Sequence, residues 1–360
     1  MRGKEQCLPF LSTTFSGLFD LSFLRALSHA CVCLTQDLDI AKIGTQIMTP
    51  GQKIGCVTAP AAAELGLPVG TPVACGLIDA HAGALGLLAT QGVDDFSSTL
   101  CLISGTSACH MLLNRSKLRI PGVWGPYYSA ILKDYWLHEG GQSAVGSLID
   151  HLIQSHPAFK CIESKTKNVY QYLEEKCIEQ AAKENLLSIH CLTRGLHILP
   201  DFHGNRSPWA DSEIKGIISG LELDRSELSL AKLYLAAIQA IAYGTKAIVE
   251  QLVKHGHSID QVAVCGGLAK SSLFIQTHAD VLNLRVIQPH ESESVLLGSA
   301  ILAKAAFSGS SLEDALKAMQ GSYHVFHPNP STKTYHHQKF AVFQELLQSQ
   351  WRCRELMSSE

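Results

Sequence analysis

The sequence contains no Cys-x-x-Cys pair, no uncharged apolar run of membrane-spanning length, and no stripe of Lys and Arg interleaved with aromatics. The first absence removes the paired-thiol metal and redox motifs, and Cys31 and Cys33 beside His29 lack the second ligand pair that zinc spacing requires. The second removes a transmembrane helix. Apolar clusters before position 28 are interrupted by Asp20 and Arg25, well short of the roughly 18 to 20 residues a bilayer demands. A secretory leader also fits poorly, since Glu5 accompanies Arg2 and Lys4, and Ser28-His29-Ala30 is a weak cleavage signal. The third absence, with a formal charge of -3, argues against a nucleic-acid partner. His138-Glu139 opens like a zinc-protease motif, but residue 142 is Gln and the pattern fails. Fixed-period repeats and low-complexity tracts are missing as well.

What is present fits an ordinary globular chain. With 360 residues and 46% hydrophobic content it can bury one large core or two smaller ones, and two domains are expected. The twelve cysteines are dispersed; Cys75, Cys101 and Cys265 lie inside apolar runs where a thiol packs as a small hydrophobe. A reducing, cytosolic setting is expected from this usage.

Three segments carry chemistry. Asp79 stands where the apolar strand Pro72–Cys75 meets a helix running to about Thr90, a place where a carboxylate is expected to face a cleft. Ser104-Gly105-Thr106-Ser107 turns between strands Thr99–Ser104 and Ala108–Leu113, displaying backbone N–H groups at a hairpin tip. Cys265-Gly266-Gly267 follows the strand Gln261–Cys265 and precedes a helix beginning at Ser271. Carboxylate, phosphate turn and nucleoside turn together point to a kinase. Each has a plainer reading: Asp79 and Ser271 as helix caps, and the tetrapeptide as an ordinary hairpin turn.

Between these segments, strands are expected at Trp124–Tyr128, Tyr135–His138 and Gly195–Leu199, and a glycine turn at Gly140-Gly141, with Gly140-Gly141-Gln142 serving close packing. Helices are expected at Ser143–Gln154 and over 168–185. The loop 200–220 leads into a long helix from Asp224, capped by Asp224-x-x-Glu227, to His255. An α/β unit follows: helix Ser271–Asn283, strand Arg285–Gln288 and helix Ser294–Phe307, with a last helix at about Tyr335–Leu347. Arg206 reads either as a phosphate donor or as a salt-bridge partner of Asp201 or Asp211; His81 reads as a buried histidine bonded to backbone.

These parts resemble the FGGY family of carbohydrate kinases from about Ile43 to Leu347. The resemblance rests on Gly66-Leu67-Pro68-Val69-Gly70-Thr71-Pro72-Val73 leading to Gly76–Gly86, on Phe202-His203-Gly204-Asn205-Arg206-Ser207-Pro208-Trp209-Ala210-Asp211, and on Gly266–Ser271 with Gly298-Ser299-Ala300. The wording of the middle segment is most similar to the D-ribulokinase-like branch. The resemblance implies an α/β, actin-like or ribonuclease-H-like ATPase fold and ATP-dependent phosphorylation of a ketopentose with Mg²⁺. It implies Asp79 as catalytic base; Gly105, Thr106, Ser107, Gly266, Gly267 and Ser271 would meet the nucleotide. Against the family pattern, no Asp-x-Gly-Thr phosphate loop precedes Asp79. The expectation is therefore an N-terminally truncated form: an atypical segment 1–36, the remainder of the N-terminal domain at 37–93, and a complete C-terminal domain at 94–350. Two functions stay open, an active pentulose kinase and a non-catalytic nucleotide-binding remnant. The expected partners are a small sugar and, left open, a second copy of the chain; no membrane partner is expected.

Overall fold

A computed structural model describes residues 46–358 apart from 92 and 94. The expectations for residues 1–36, His29, Cys31 and Cys33 included, lie outside the described residues, as do Gly92 and Asp94 of the expected boundary.

The described chain begins with strand β1 (Lys53–Cys56), helix α1 (Ala59–Leu65), strand β2 (Pro72–Ala74) and helix α2 (Asp79–Leu88). Gly66 closes α1 with a φ of 67°, a left-handed conformation that glycine enters without Cβ strain. Four strands follow: β3 (Thr99–Ser104), β4 (Ala108–Asn114), β5 (Trp124–Tyr128) and β6 (Trp136–Gln142). Next come α3 (Gly146–Ser155), α4 (Phe159–Glu163), α5 (Val169–Lys183), β7 (His197–Leu199) and β8 (Ile217–Ser219). The chain then forms α6 (Glu227–Lys254), β9 (Gln261–Cys265), α7 (Ser272–Leu282), β10 (Arg285–Pro289) and α8 (Ser294–Ser308). It finishes with α9 (Leu312–Lys317), β11 (Tyr323–Phe326) and α10 (Lys333–Met357).

Seven strands form one mixed sheet in the order β11-β10-β9-β3-β4-β6-β5. β3, β9 and β10 run parallel, while β4, β6 and β5 continue the sheet antiparallel from β3. This is the strand pattern of a ribonuclease-H-like domain, as expected. The central strands read as apolar runs because helices cover both faces. Leu100 and Leu102 point into a core with α3, α6 and α7, whereas Cys101 points into the opposite core with α2, α8 and Ile287.

Helix α2 is thus part of the core beneath the sheet: Leu85, Leu87 and Leu88 are fully buried there with Met111 and Ile301. The unit built around the sheet therefore includes α2. Its contact with α8 is backbone to backbone. A Cβ on Gly86 would come 2.0 Å from the Ser294 carbonyl oxygen, and one on Gly298 would come 1.9 Å from that of Ala82.

Several local expectations are corrected. Gly140-Gly141 is no turn but lies inside β6, where a Cβ on Gly140 would meet Ile248 at 2.8 Å and one on Gly141 the Ala108 carbonyl oxygen at 2.9 Å. The strand's glycines are there for close packing. Helix α6 is capped by Ser226, whose hydroxyl accepts from the Ser229 N–H at 3.1 Å. Asp224 instead accepts from the Ser226 N–H at 2.8 Å, and Glu227 turns away to Tyr172 and Lys165. Helix α10 runs a full ten residues past Leu347, to Met357, because Arg354 and Trp351 both reach Asp211 and hold its far end to the 200–220 loop.

Candidate active site

The turn after β3 and the glycines after β9 sit side by side because these strands are parallel neighbours, with Ile103 opposite Cys265. The carboxyl edge of adjacent parallel strands is where α/β proteins open a ligand crevice. Gly266 has a φ of 99°, and a Cβ there would lie 2.3 Å from the Ser104 carbonyl oxygen; only glycine lets the two turns touch. Around them opens a cleft of about 710 Å³, lined by Gly105, Thr106, Gly267 and Ser271 on one side and by Asp150 and Glu174 on the other.

The turn's carbonyl groups face away from the cleft, into the start of α3. The Gly105 oxygen accepts from the Gly146 N–H at 3.0 Å, and the Thr106 oxygen from the N–H of Val145 at 2.9 Å. The N–H groups of Thr106 and Ser107, and both hydroxyls, have no protein partner among the described residues. Backbone and hydroxyl donors left open in this way are available to a ligand. Ser271 caps α7, accepting from the Phe274 N–H at 3.1 Å, while its hydroxyl donates to Glu174 at 2.6 Å. Tyr234 donates to the same carboxylate oxygen at 2.9 Å; burial, reinforced by the Glu174 charge, pushes its phenol well above the usual range. Tyr170 donates to Asp150. Both acidic groups of the far wall are thereby engaged.

Asp79 does not line this cleft. It is the first residue of α2 and is exposed, with Oδ1 accepting from the Ala80 N–H at 2.7 Å. The N-cap position itself belongs to Ile78. Ala84 faces Cys101 and Gly83 faces Ile103, so α2 runs opposite to β3. One further helical turn carries Asp79 about 5 Å past the level of Ile103, to the same edge of the sheet as Gly105 but on the other face.

Beside it lies a polar group that sequence inspection missed. Arg206 pairs with Glu139 at 2.6 Å, not with Asp201 or Asp211, and lies 4.3 Å over the Trp124 ring. His81 bonds to the other Glu139 oxygen at 3.4 Å, not to backbone. Burial alone would raise the Glu139 carboxyl; the His81 bond and the charges of His81 and Arg206 outweigh it and hold the group below its ordinary value. Asp211, which was a candidate partner, is taken by Arg354 at 2.7 Å. One signal for this cluster was readable: Glu139 is a lone carboxylate within the glycine-rich, buried strand Trp136–Gln142.

Residues 100–307 match the FGGY family of carbohydrate kinases, C-terminal domain. The chain belongs to this family. An FGGY carbohydrate kinase domain-containing protein from Xenopus laevis is 44% identical over 354 residues, covering 94% of this chain and 63% of that protein. The human protein of the same description is 41% identical, over 89% of this chain and 60% of its own length. A D-ribulokinase from Saccharomyces cerevisiae is 34% identical over 72% of this chain and 39% of its own length. The FGGY chain thus spans about three-fifths of the first two. A match over 94% of it must also enter residues 1–36, since the rest is only nine-tenths of the sequence.

Among solved structures, xylulose kinase from Lactobacillus acidophilus superposes with a TM-score of 0.69 at 21% identity, over 90% of this chain and 61% of that one. Plasmodium falciparum glycerol kinase with ADP gives 0.62 at 16% identity, over 82% and 55%. These likenesses give this FGGY chain its fold: the actin-like, ribonuclease-H-like ATPase architecture. Among the described residues, no helix is long and apolar enough to cross a membrane.

Proposed function

We propose that this chain carries the nucleotide side and the catalytic base of an ATP-dependent ketopentose kinase, acting on a sugar of the D-ribulose type. The observation that carries the reading is the convergence, at one sheet edge, of the open N–H groups of Thr106 and Ser107, the cleft beside Gly266 and Gly267, and Asp79 on the neighbouring helix. Backbone donors stabilise charge on the phosphates, and Gly267, with open space where a Cβ would stand, admits the nucleoside. Asp79 takes the proton of the attacking sugar hydroxyl. The Glu139–Arg206–His81 cluster, two residues along α2 from Asp79, supplies polar groups for the other hydroxyls. Transfer itself breaks the bond to the terminal phosphoryl group and forms one to the sugar oxygen, a reaction governed by positioning and charge.

Mg²⁺ would enter with the phosphates and neutralise their charge. Asp150 and Glu174 are the carboxylates of the cleft, each already bonded to hydroxyls, which suits an ion that keeps most of its waters. In the same reading, residues 37–93 are in sequence the remainder of an N-terminal FGGY domain and residues 94–350 the C-terminal domain, with α2 of the first packed into the sheet core of the second.

A coupled ADP-release assay over a panel of ketopentoses and pentitols tests the proposal. Sugar-dependent release is expected, and Asp79→Asn, nearly isosteric but no longer basic, should lower it roughly a hundredfold or more without altering the fold. Unchanged turnover in the variant would remove Asp79 from the mechanism. Calorimetric ATP binding with no turnover on any sugar would favour the non-catalytic nucleotide-binding reading.

A further inference from the structure

Far from the cleft, where α10 docks on the domain, His190, Asp280 and His336 each offer one ligand atom, and these atoms lie within 4.8 Å of one another. All three are buried, with exposures of 2%, 5% and 2%. They arrive from three separate elements: the 3-10 turn Ile189–Thr193, α7, and the first turns of α10. We propose that they form a structural divalent-metal site, a His₂Asp set suited to Zn²⁺.

The hydrogen bonding around the trio supports this. His336 Nε2 is buried and has no partner, while Nδ1 faces the Tyr243 hydroxyl at 2.9 Å. An imidazole in a core that satisfies only one nitrogen costs stability; with Nδ1–H donated to Tyr243, the bare nitrogen is a metal ligand. Asp280 has one oxygen committed, Oδ1 accepting from Gln276 at 2.7 Å and from the Asn329 N–H at 2.8 Å. Its Oδ2 is turned toward His190 Nε2 at 3.4 Å, close to the ligand-to-ligand separation of a tetrahedral zinc site with bonds of about 2 Å. His190 Nδ1 faces the Gln239 amide nitrogen at 3.3 Å; ligation through Nε2 needs the Nδ1–H form, with that carboxamide turned to present its oxygen. His336 and Asp280 therefore have outer partners that fix their orientation, as metal-binding imidazoles and carboxylates characteristically do. Two imidazoles and one carboxylate favour zinc over magnesium or calcium, which take oxygen donors. The fourth position would go to water. Such an ion would tie the C-terminal helix to α7 and to the turn before β7, joining segments far apart in sequence.

The test is metal retention. The full chain is refolded with Zn²⁺, passed through a desalting column, and assayed by elemental mass spectrometry; parallel samples receive Mg²⁺ or Co²⁺. The expected result is about one zinc per chain, a thermal midpoint raised by Zn²⁺ but not by Mg²⁺, and the visible bands of tetrahedral Co²⁺. His336→Gln should lose the retained zinc, and Tyr243→Phe should weaken it about 10- to 100-fold. His324→Ala, at an exposed histidine pair elsewhere, should retain it. Wild-type protein that keeps no zinc, shows no zinc-dependent midpoint and gives only octahedral Co²⁺ spectra would overturn the proposal, and so would zinc lost in His324→Ala but kept in His336→Gln. The wild-type measurements decide even if His336→Gln fails to fold.

Discussion

Replacing Asp201 by Asn should stabilise the protein, by an amount that grows between about pH 4 and pH 6 and is full above that. Asp201 follows β7 in the loop that carries Arg206 and is 8% exposed. Its Oδ1 accepts from Asn205 at 2.9 Å, but Oδ2 has no partner. Burial, only partly opposed by the Asn205 bond, raises the carboxyl from 3.8 to about 6. A carboxyl whose folded pKa lies above its unfolded value binds its proton more tightly in the folded state. Its contribution to stability is fully present below pH 3.8 and is lost as pH rises through about 6. At 1.36 kcal/mol per pH unit the loss is about 3 kcal/mol. Asn has the same shape and no charge to lose. Urea unfolding of both proteins between pH 4 and 8 should give curves that nearly coincide in acid and then separate, with the variant more stable by about 2 to 3 kcal/mol at neutral pH. Other titrating groups, such as the depressed Glu139 and Asp280, act alike in both proteins and drop out of the difference. A gap that does not change with pH would show that Asp201 is not a strained ionised group, and the burial argument would fail.

Gly298→Ala should lower the thermal midpoint strongly, because its Cβ would sit 1.9 Å from the Ala82 oxygen, worse than the overpacking that typically costs about 1 to 3 kcal/mol. Gly267→Ala is the contrast: the new methyl enters open space, so differential scanning calorimetry should find stability unchanged while ATP titration finds weaker binding. Ser271→Ala should cost about 1 kcal/mol through the lost cap and leave ATP affinity close to wild type, since its hydroxyl is already committed to Glu174 and Phe274; the reverse pattern would give Ser271 a ligand.

Much of the sheet was legible because local signals agree with the fold. β3 and β9 read as strands from uninterrupted apolar runs, and the turns after them from Gly105 and Gly266. The α6 boundary was nearly right for a different reason than expected: Ser226, not Asp224, supplies the cap, and both residue types favour that place. Side-chain partners were not legible. Arg206 is close in sequence to Asp201 and Asp211, yet it reaches Glu139 on β6, and Asp211 reaches Arg354 near the end of α10. Such pairings depend on which elements the topology sets together, and local charge patterning carries no trace of that. The cleft's far wall was missed likewise: Asp150 and Glu174 lie on α3 and α5, read only as helical segments.

The interlocked glycines of α2 and α8 have a consequence for motion. Helices held apart by a layer of side chains can slide by repacking rotamers; helices touching through Gly86 and Gly298 have no such layer to rearrange. Asp79 therefore travels with the sheet as one stiff body, and its spacing from the turn at Gly105–Ser107 is a constant of the architecture. A conformational change could bring other groups toward that edge or screen it from water. It would leave the ruler between the carboxylate and the turn unchanged.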